Sequence, residues 1–241
     1  MSTYRQRIYE NYASRFQGTQ ETFDFAGASR WGNSYDYRFR GWLPASKDAT
    51  IVDLACGGGK LLYFFKERGF RVISGVDISP DQVKLARQVI PEVVEANALD
   101  FLAAHPHAFD LITGLDIIEH FQKEEVLRFL DLCHAALRPG GRLILQTPNA
   151  ESLWGCMYRY GDFTHEIAFN PNLLLNLLAL CNFRDLEIRE TGPIPWGHSL
   201  ASTMRYVVWQ GFRAFLHLWN LAEGHTGSGV FTRVFLSTGV K

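Results

Sequence analysis

The segment LDIIEH, residues 115–120, sets two acids and an imidazole at the end of an apolar run. Asp116, Glu119 and His120 follow the spacing D-x-x-E-H. If a helical turn begins at Asp116, side chains three and four positions apart share one face. Two carboxylates and an imidazole on one face form a donor set for Mg2+, Mn2+ or Zn2+. A second chemical stretch is IVDLACGGGKLL, residues 51–62, where an apolar strand carries an acid and runs into three consecutive glycines. Glycine turns between strand and helix let a backbone approach a ligand with no Cβ in the way.

Two phosphate motifs fail at these glycines. The phosphate loop needs Gly where Leu54 stands, and Ser or Thr where Leu61 stands. The dinucleotide fingerprint needs a third Gly where Leu62 stands. The pattern that fits is D-x-x-x-G-x-G, with Asp53, Gly57 and Gly59. Here the chain resembles the class I S-adenosylmethionine-dependent methyltransferases, with Ala55 where the family has a further Gly.

The resemblance implies a Rossmann-like, doubly wound seven-stranded sheet with an antiparallel last strand, in three α/β/α layers. It implies S-adenosylmethionine at Asp53, Ala55, Gly57 and Gly59, with Ile78 and Leu115 among the lining residues. Asp77, eighteen residues after Gly59, is placed on the ribose hydroxyls, and Asp100 on the adenine amino group. The acid-x-x-Glu-His segment resembles that of ubiquinone-biosynthesis O-methyltransferases and small-RNA 2′-hydroxyl methyltransferases. Those groups bind a divalent metal there, which implies a site at Asp116, Glu119, His120 and, in GDFTHEIAFNP, His165. Many metal-free relatives carry Glu-His at this place too. In that reading His165 is the general base, and Glu119 and His120 are structural or touch substrate.

These residues need a frame. TIVDLA, RVISGVD, EVVEA, FDLITGL and RLILQTP read as five strands, separated by helical stretches and, before the fifth, an RPGG turn. Near-continuous apolar runs are those of buried parallel strands, and ligands sit beyond the carboxyl ends of such sheets. Ser79-Pro80 with Gln82 predicts a capping box. Val126, Leu130, Cys133 and Leu137 share a helical face. FRDLEIRETG and VFTRVFLSTG read as strands six and seven. We expect a single domain over 1–241, with a helical cap over 1–50, a cofactor-binding core over 51–150 and an acceptor-side segment over 151–241.

With 24 basic and 25 acidic residues, the net charge of −1 argues against bulk binding of nucleic acid. No C-x-x-C pair occurs among the four cysteines, and no secretory signal or spanning segment is read, so a cytoplasmic setting is expected. Between strands six and seven, Met204, Val208, Phe212, Phe215, Trp219 and Ala222 follow helical spacing, while Val207, Trp209 and Leu216 lie off that stripe. Such a helix packs on the core or across a homodimer interface, or else caps the acceptor pocket or touches a membrane surface peripherally. The tail section also resembles methyltransferases of bacterial polysaccharide synthesis, which implies a sugar hydroxyl of a glycan as acceptor. Trp31, Trp42, Trp154 and Trp196 in loops would stack on a sugar or a quinone-like ring. An RNA or quinone-type O-methyltransferase, or a cofactor-binding scaffold without catalysis, are the alternatives.

Overall fold

A computed structural model describes position 8 and residues 21–195, 199–224 and 227–241. Helix α1 (Phe25–Arg38) precedes β1 (Thr50–Leu54). There follow α2 (Lys60–Glu67), β2 (Val72–Asp77), α3 (Pro80–Ala86), β3 (Val93–Glu95), α4 (Ala98–Ala103) and β4 (Phe109–Leu115). A 3-10 turn (Ile118–His120) leads to α5 (Lys123–Ala136), β5 (Leu137–Pro148), α6 (Gly155–Gly161) and α7 (Pro171–Leu180). The chain closes with β6 (Arg184–Glu190), α8 (Leu200–Ala222) and β7 (Val234–Val240). Of the expected cap over 1–50, residues 1–7 and 9–20 lie outside the described residues, and α1 is the helix described within it.

Among the described residues the strands form one seven-stranded sheet in the order β3-β2-β1-β4-β5-β7-β6. The first five strands are parallel, and β7 runs antiparallel to both β5 and β6. The alternation of strand residues divides the core in two. Val52, Ile112, Leu143 and Leu145 pack with Leu102 of α4, Phe129 of α5 and Leu174 of α7 on one face. Ile51, Leu111 and Ile144 pack with Tyr35 of α1, Phe64 of α2 and Ala86 of α3 on the other. The crossovers therefore change face between β1 and β4, and such a switch point opens a crevice at the strands' carboxyl ends.

Several local expectations are corrected. Ser79 begins α3, but its side chain makes no cap hydrogen bond; the predicted Pro at the first turn is present. The reciprocal cap bond sits instead at α5, where Gln122 N–H donates to the Glu125 carboxylate at 2.8 Å. RPGG is no separate turn. Phe109 pairs with Leu137 and Leu111 with Arg142, so those four residues bulge out of a longer β5. Trp31 lies in α1, and Trp42 is buried under the Arg189 guanidinium at 3.7 Å. Neither is a loop residue able to stack on a sugar; Trp154 is half exposed, and Trp196 lies outside the described residues. The aromatic helix between strands six and seven does not pack on the core, for α8 has no buried residue.

Candidate functional site at the carboxyl edge of the sheet

The glycine loop leaves β1 through three left-handed residues: Ala55 (φ 52°), Gly57 (φ 51°) and Gly59 (φ 91°). A Cβ on Gly59 would stand 3.1 Å from the Ala86 Cα, so the loop seats directly on α3. A Cβ on Gly57 would meet only the Gln82 Oε1, at 3.9 Å, so the space beside it is open to a ligand. Asp77 fixes this loop. Its Oδ2 accepts from Gly57 N–H and its Oδ1 from Ser79 N–H, each at 2.8 Å. Burial pushes the Asp77 carboxyl up, and the backbone donors pull against that. Each carboxylate oxygen has a second lone pair for a further donor.

Asp53, one strand over, is buried and accepts from the Thr113 hydroxyl at 2.7 Å. Burial, reinforced by the nearby Asp77 charge, pushes its carboxyl up to about 7. Ile78 follows the end of β2 and Leu115 is the last residue of β4, and nearly half of the Ile78 surface is exposed at the mouth. Asp100 sits on the first turn of α4 and faces solvent. The polar residue between β3 and that helix is Asn97, whose Oδ1 accepts from Leu99 N–H at 2.8 Å.

Beyond β4 the chain does not start a helix at Asp116. That residue adopts φ 58°, and the 3-10 turn begins two residues later. Asp116 therefore does not share a helical face with Glu119 and His120. The Gln146 side chain holds its carboxylate at 2.9 Å, and Tyr35 of α1 in turn donates to Gln146 at 3.0 Å. Burial pushes the Asp116 carboxyl up to about 6.

The structure brings Glu119, His120 and His165 together, with one ligand atom of each within 4.8 Å of the others. Glu119 is buried; its Oε2 accepts from Thr147 at 2.9 Å, and its Oε1 has no hydrogen-bond partner. Burial, with the Asp116 charge nearby, pushes this carboxyl well above the usual range. Two hydrogen bonds fix the ring tautomers. His165 Nδ1 lies 2.8 Å from the Tyr158 carbonyl, which can only accept, so Nδ1 carries the proton. Thr164 donates its hydroxyl to Asp162 at 2.6 Å and therefore accepts from His120 Nδ1 at 2.8 Å. With Nδ1 carrying the proton, the neutral tautomer of each ring has its lone pair on Nε2, the atom that takes a proton or a metal ion. The Glu119 carbonyl accepts from Glu166 and Ile167 N–H, which stitches the 162–167 loop to the 3-10 turn. Asn170 caps α7 as expected, with Leu173 N–H donating to its side chain.

Tyr35, Thr147 and Thr164 were not singled out from the sequence. Gln146 and Thr147 carried a signal, being polar residues that end an apolar strand. Nothing local marks Tyr35, whose partner is 111 positions away.

A methyltransferase-domain family model matches residues 34–192. The chain belongs to that family. It is a class I S-adenosylmethionine-dependent methyltransferase by sequence and fold. A ubiquinone biosynthesis O-methyltransferase of Idiomarina loihiensis is 29% identical over 57% of this chain, which spans 63% of that relative's length. The methyltransferase fold is shared with a SAM-dependent methyltransferase from Archaeoglobus fulgidus (TM-score 0.66, 21% identity, 99% of this chain and 100% of that one). A phosphoethanolamine N-methyltransferase of Haemonchus contortus, solved with S-adenosyl-L-methionine, shares it at TM-score 0.57 and 16% identity, over 97% of this chain and 60% of its own.

Proposed function

We propose that this methyltransferase moves the methyl group of S-adenosylmethionine onto a hydroxyl of a small organic acceptor held at the Glu119–His120–His165 cluster. The observation that carries this reading is a buried carboxylate oxygen without a partner, on Glu119, within ligand distance of two imidazoles whose Nδ1 atoms are held by Thr164 and the Tyr158 carbonyl. An alkylated hydroxyl must lose its proton, and the cluster offers an acceptor for it. The cofactor lies over Gly57, with Asp77 turned to the ribose and Ile78 to the adenine. Asp53 supports the loop through Thr113.

The cluster also fits a divalent metal. Two imidazoles and one carboxylate suit Zn2+ or Mn2+ better than Mg2+, which prefers an all-oxygen shell. Glu119, His120 and His165 would hold it, with Asp116 outside the ligand set. When bound, such an ion lowers the pKa of an acceptor hydroxyl. Without it, His165 Nε2 is the general base, its Nδ1–H anchored on the Tyr158 carbonyl.

For the acceptor, a phenolic hydroxyl on a quinone-type ring is favoured by the O-methyltransferase relative. A sugar hydroxyl of a glycan is the second reading. It is favoured by a cleft of about 430 Å3 where Asn170, Asn172 and Asn220 offer amides beside the Trp219 ring. The near-neutral charge disfavours RNA.

The test is methyl transfer from labelled S-adenosylmethionine to catechols, glycans and RNA. Transfer to a catechol or a sugar, lost in His165→Ala, is the expected result. Cofactor binding with no transfer to any hydroxyl would overturn the proposal and leave a scaffold. Transfer to RNA alone would overturn the small-molecule assignment.

A further inference from the structure

Helix α8 hangs between β6 and β7 by one face. Ser202 donates to the Ile194 carbonyl at 3.1 Å, and Trp209 donates to Glu190 at 3.3 Å. The Arg213 guanidinium lies 3.2 Å from the same carboxylate, and His217 meets the Phe231 ring edge-on. Among the described residues nothing covers the opposite face. Nine of its apolar side chains are each more than half exposed. At about 100–150 Å2 apiece they present roughly 1,000 Å2, against about 300–600 Å2 for the largest patch on a typical monomer. Among the described residues no helix is long and apolar enough to cross a membrane, so insertion as a span does not account for the face.

We propose that α8 is the homodimer interface of this protein, packed antiparallel against the same helix of a second copy. The area is one reason: a stable interface needs about 800 Å2 per partner, and this face supplies it. The pattern is the other. A two-fold contact must be self-complementary, so residues paired across it sum to a constant position. The centre of the exposed stripe is Gly211, which is also the midpoint of Leu200–Ala222. Nothing would meet a Cβ there, so two backbones can cross closely at that point. Three apolar pairs along the stripe are placed symmetrically about Gly211. Leu200 of one copy faces Ala222 of the other, Met204 faces Leu218, and Val207 faces Phe215. Larger side chains meet smaller ones at two of these pairs, as interdigitating helices require. No charged residue lies among them, so the axis brings no like charges together.

Sedimentation velocity on the full chain tests this at micromolar concentration. A dimer is expected. Phe215→Glu with Leu218→Glu should weaken it by at least about a hundredfold, since each copy then buries two unpaired charges. The exposed positions leave helicity and cofactor affinity unchanged, which circular dichroism and calorimetry check. G211C in a C156S background, which removes the exposed thiol, should cross-link two copies under mild oxidation. A monomer at all concentrations overturns the proposal, as does a dimer indifferent to both glutamates and unable to cross-link through position 211. A monomer that binds phosphatidylcholine–phosphatidylglycerol vesicles through this face overturns it in favour of a lipid surface.

Discussion

Replacing Asp77 with Asn separates the fold from the cofactor site. The carboxylate holds two backbone donors, Gly57 N–H and Ser79 N–H, one on each oxygen. Asn keeps one acceptor and turns an NH2 group on the other donor, so one N–H is orphaned at a cost of about 1–3 kcal/mol. The native carboxyl is pushed up by burial, so removing the charge returns part of that cost in the ligand-free protein. Net stability should therefore change little. The bound state loses more, because an amide has fewer lone pairs for two ribose hydroxyls and Gly57 is no longer held in place. At about 1.5–3 kcal/mol, affinity for S-adenosylmethionine should fall roughly ten- to a hundredfold. Calorimetry at pH 8 measures it, and S-adenosylhomocysteine should show the same ratio, because its ribose is identical. Unchanged affinity in a folded variant refutes the placing of Asp77 on the ribose. A large stability loss with unchanged affinity refutes the division between loop and ligand.

Asp53, lifted to about 7 from an ordinary value near 3.8, binds its proton more tightly folded than unfolded. Its contribution to stability is thus complete below pH 4 and falls away as pH rises to 7, by at most about 4 kcal/mol. Asp53→Asn should flatten that limb of the urea-unfolding profile and be more stable than the native chain at pH 8; parallel profiles would show Asp53 ionised throughout. Ala55→Gly should raise the unfolding free energy by up to about 1 kcal/mol, read as a higher urea midpoint, because a left-handed φ costs Ala that much; a lower midpoint means that the methyl's packing outweighs the strain. Thr164→Val removes the hydroxyl that fixes the His120 tautomer, so Zn2+ affinity by competition with a chelator dye should drop about ten- to a hundredfold; equal affinity would place the ion elsewhere. Exhaustive chelation should abolish methyl transfer while cofactor binding survives, and full activity after verified metal removal leaves His165 as the base.

The nucleotide half was readable because its signals are local. An apolar run ends at Leu54, glycines follow at once, and Asp77 ends the next run. The register of one strand on its neighbour then carries those acids to a common edge. The acceptor half was readable by residue type but not by geometry. D-x-x-E-H has helical spacing, yet Asp116 is left-handed and its N–H pairs with the Gln146 carbonyl. That bond continues the β4–β5 ladder one residue beyond the strand, and the left-handed φ keeps Asp116 out of any helix. His165 could be proposed because a histidine is visible in a sequence. Its tautomer depends on the Tyr158 carbonyl, which no spacing reveals. The fate of α8 was unreadable for a different reason. Apolar residues around a helix indicate that something covers it, but they carry no information about whether the cover is the same chain.

The two strands flanking α8 occupy one margin of the sheet, with β7 slotted between β5 and β6. Everything from residue 191 to 233 is therefore an excursion that leaves and returns at the same place. Lengthening such a connection costs only logarithmically in chain entropy. The strands that carry Asp53 and Asp77 lie across β4 and β5 from it and need not shift when it changes. Variation at this margin can thus alter what the protein assembles with while the cofactor chemistry stays fixed. The lineage can try new partnerships in one connection, without re-evolving the half that binds the methyl donor.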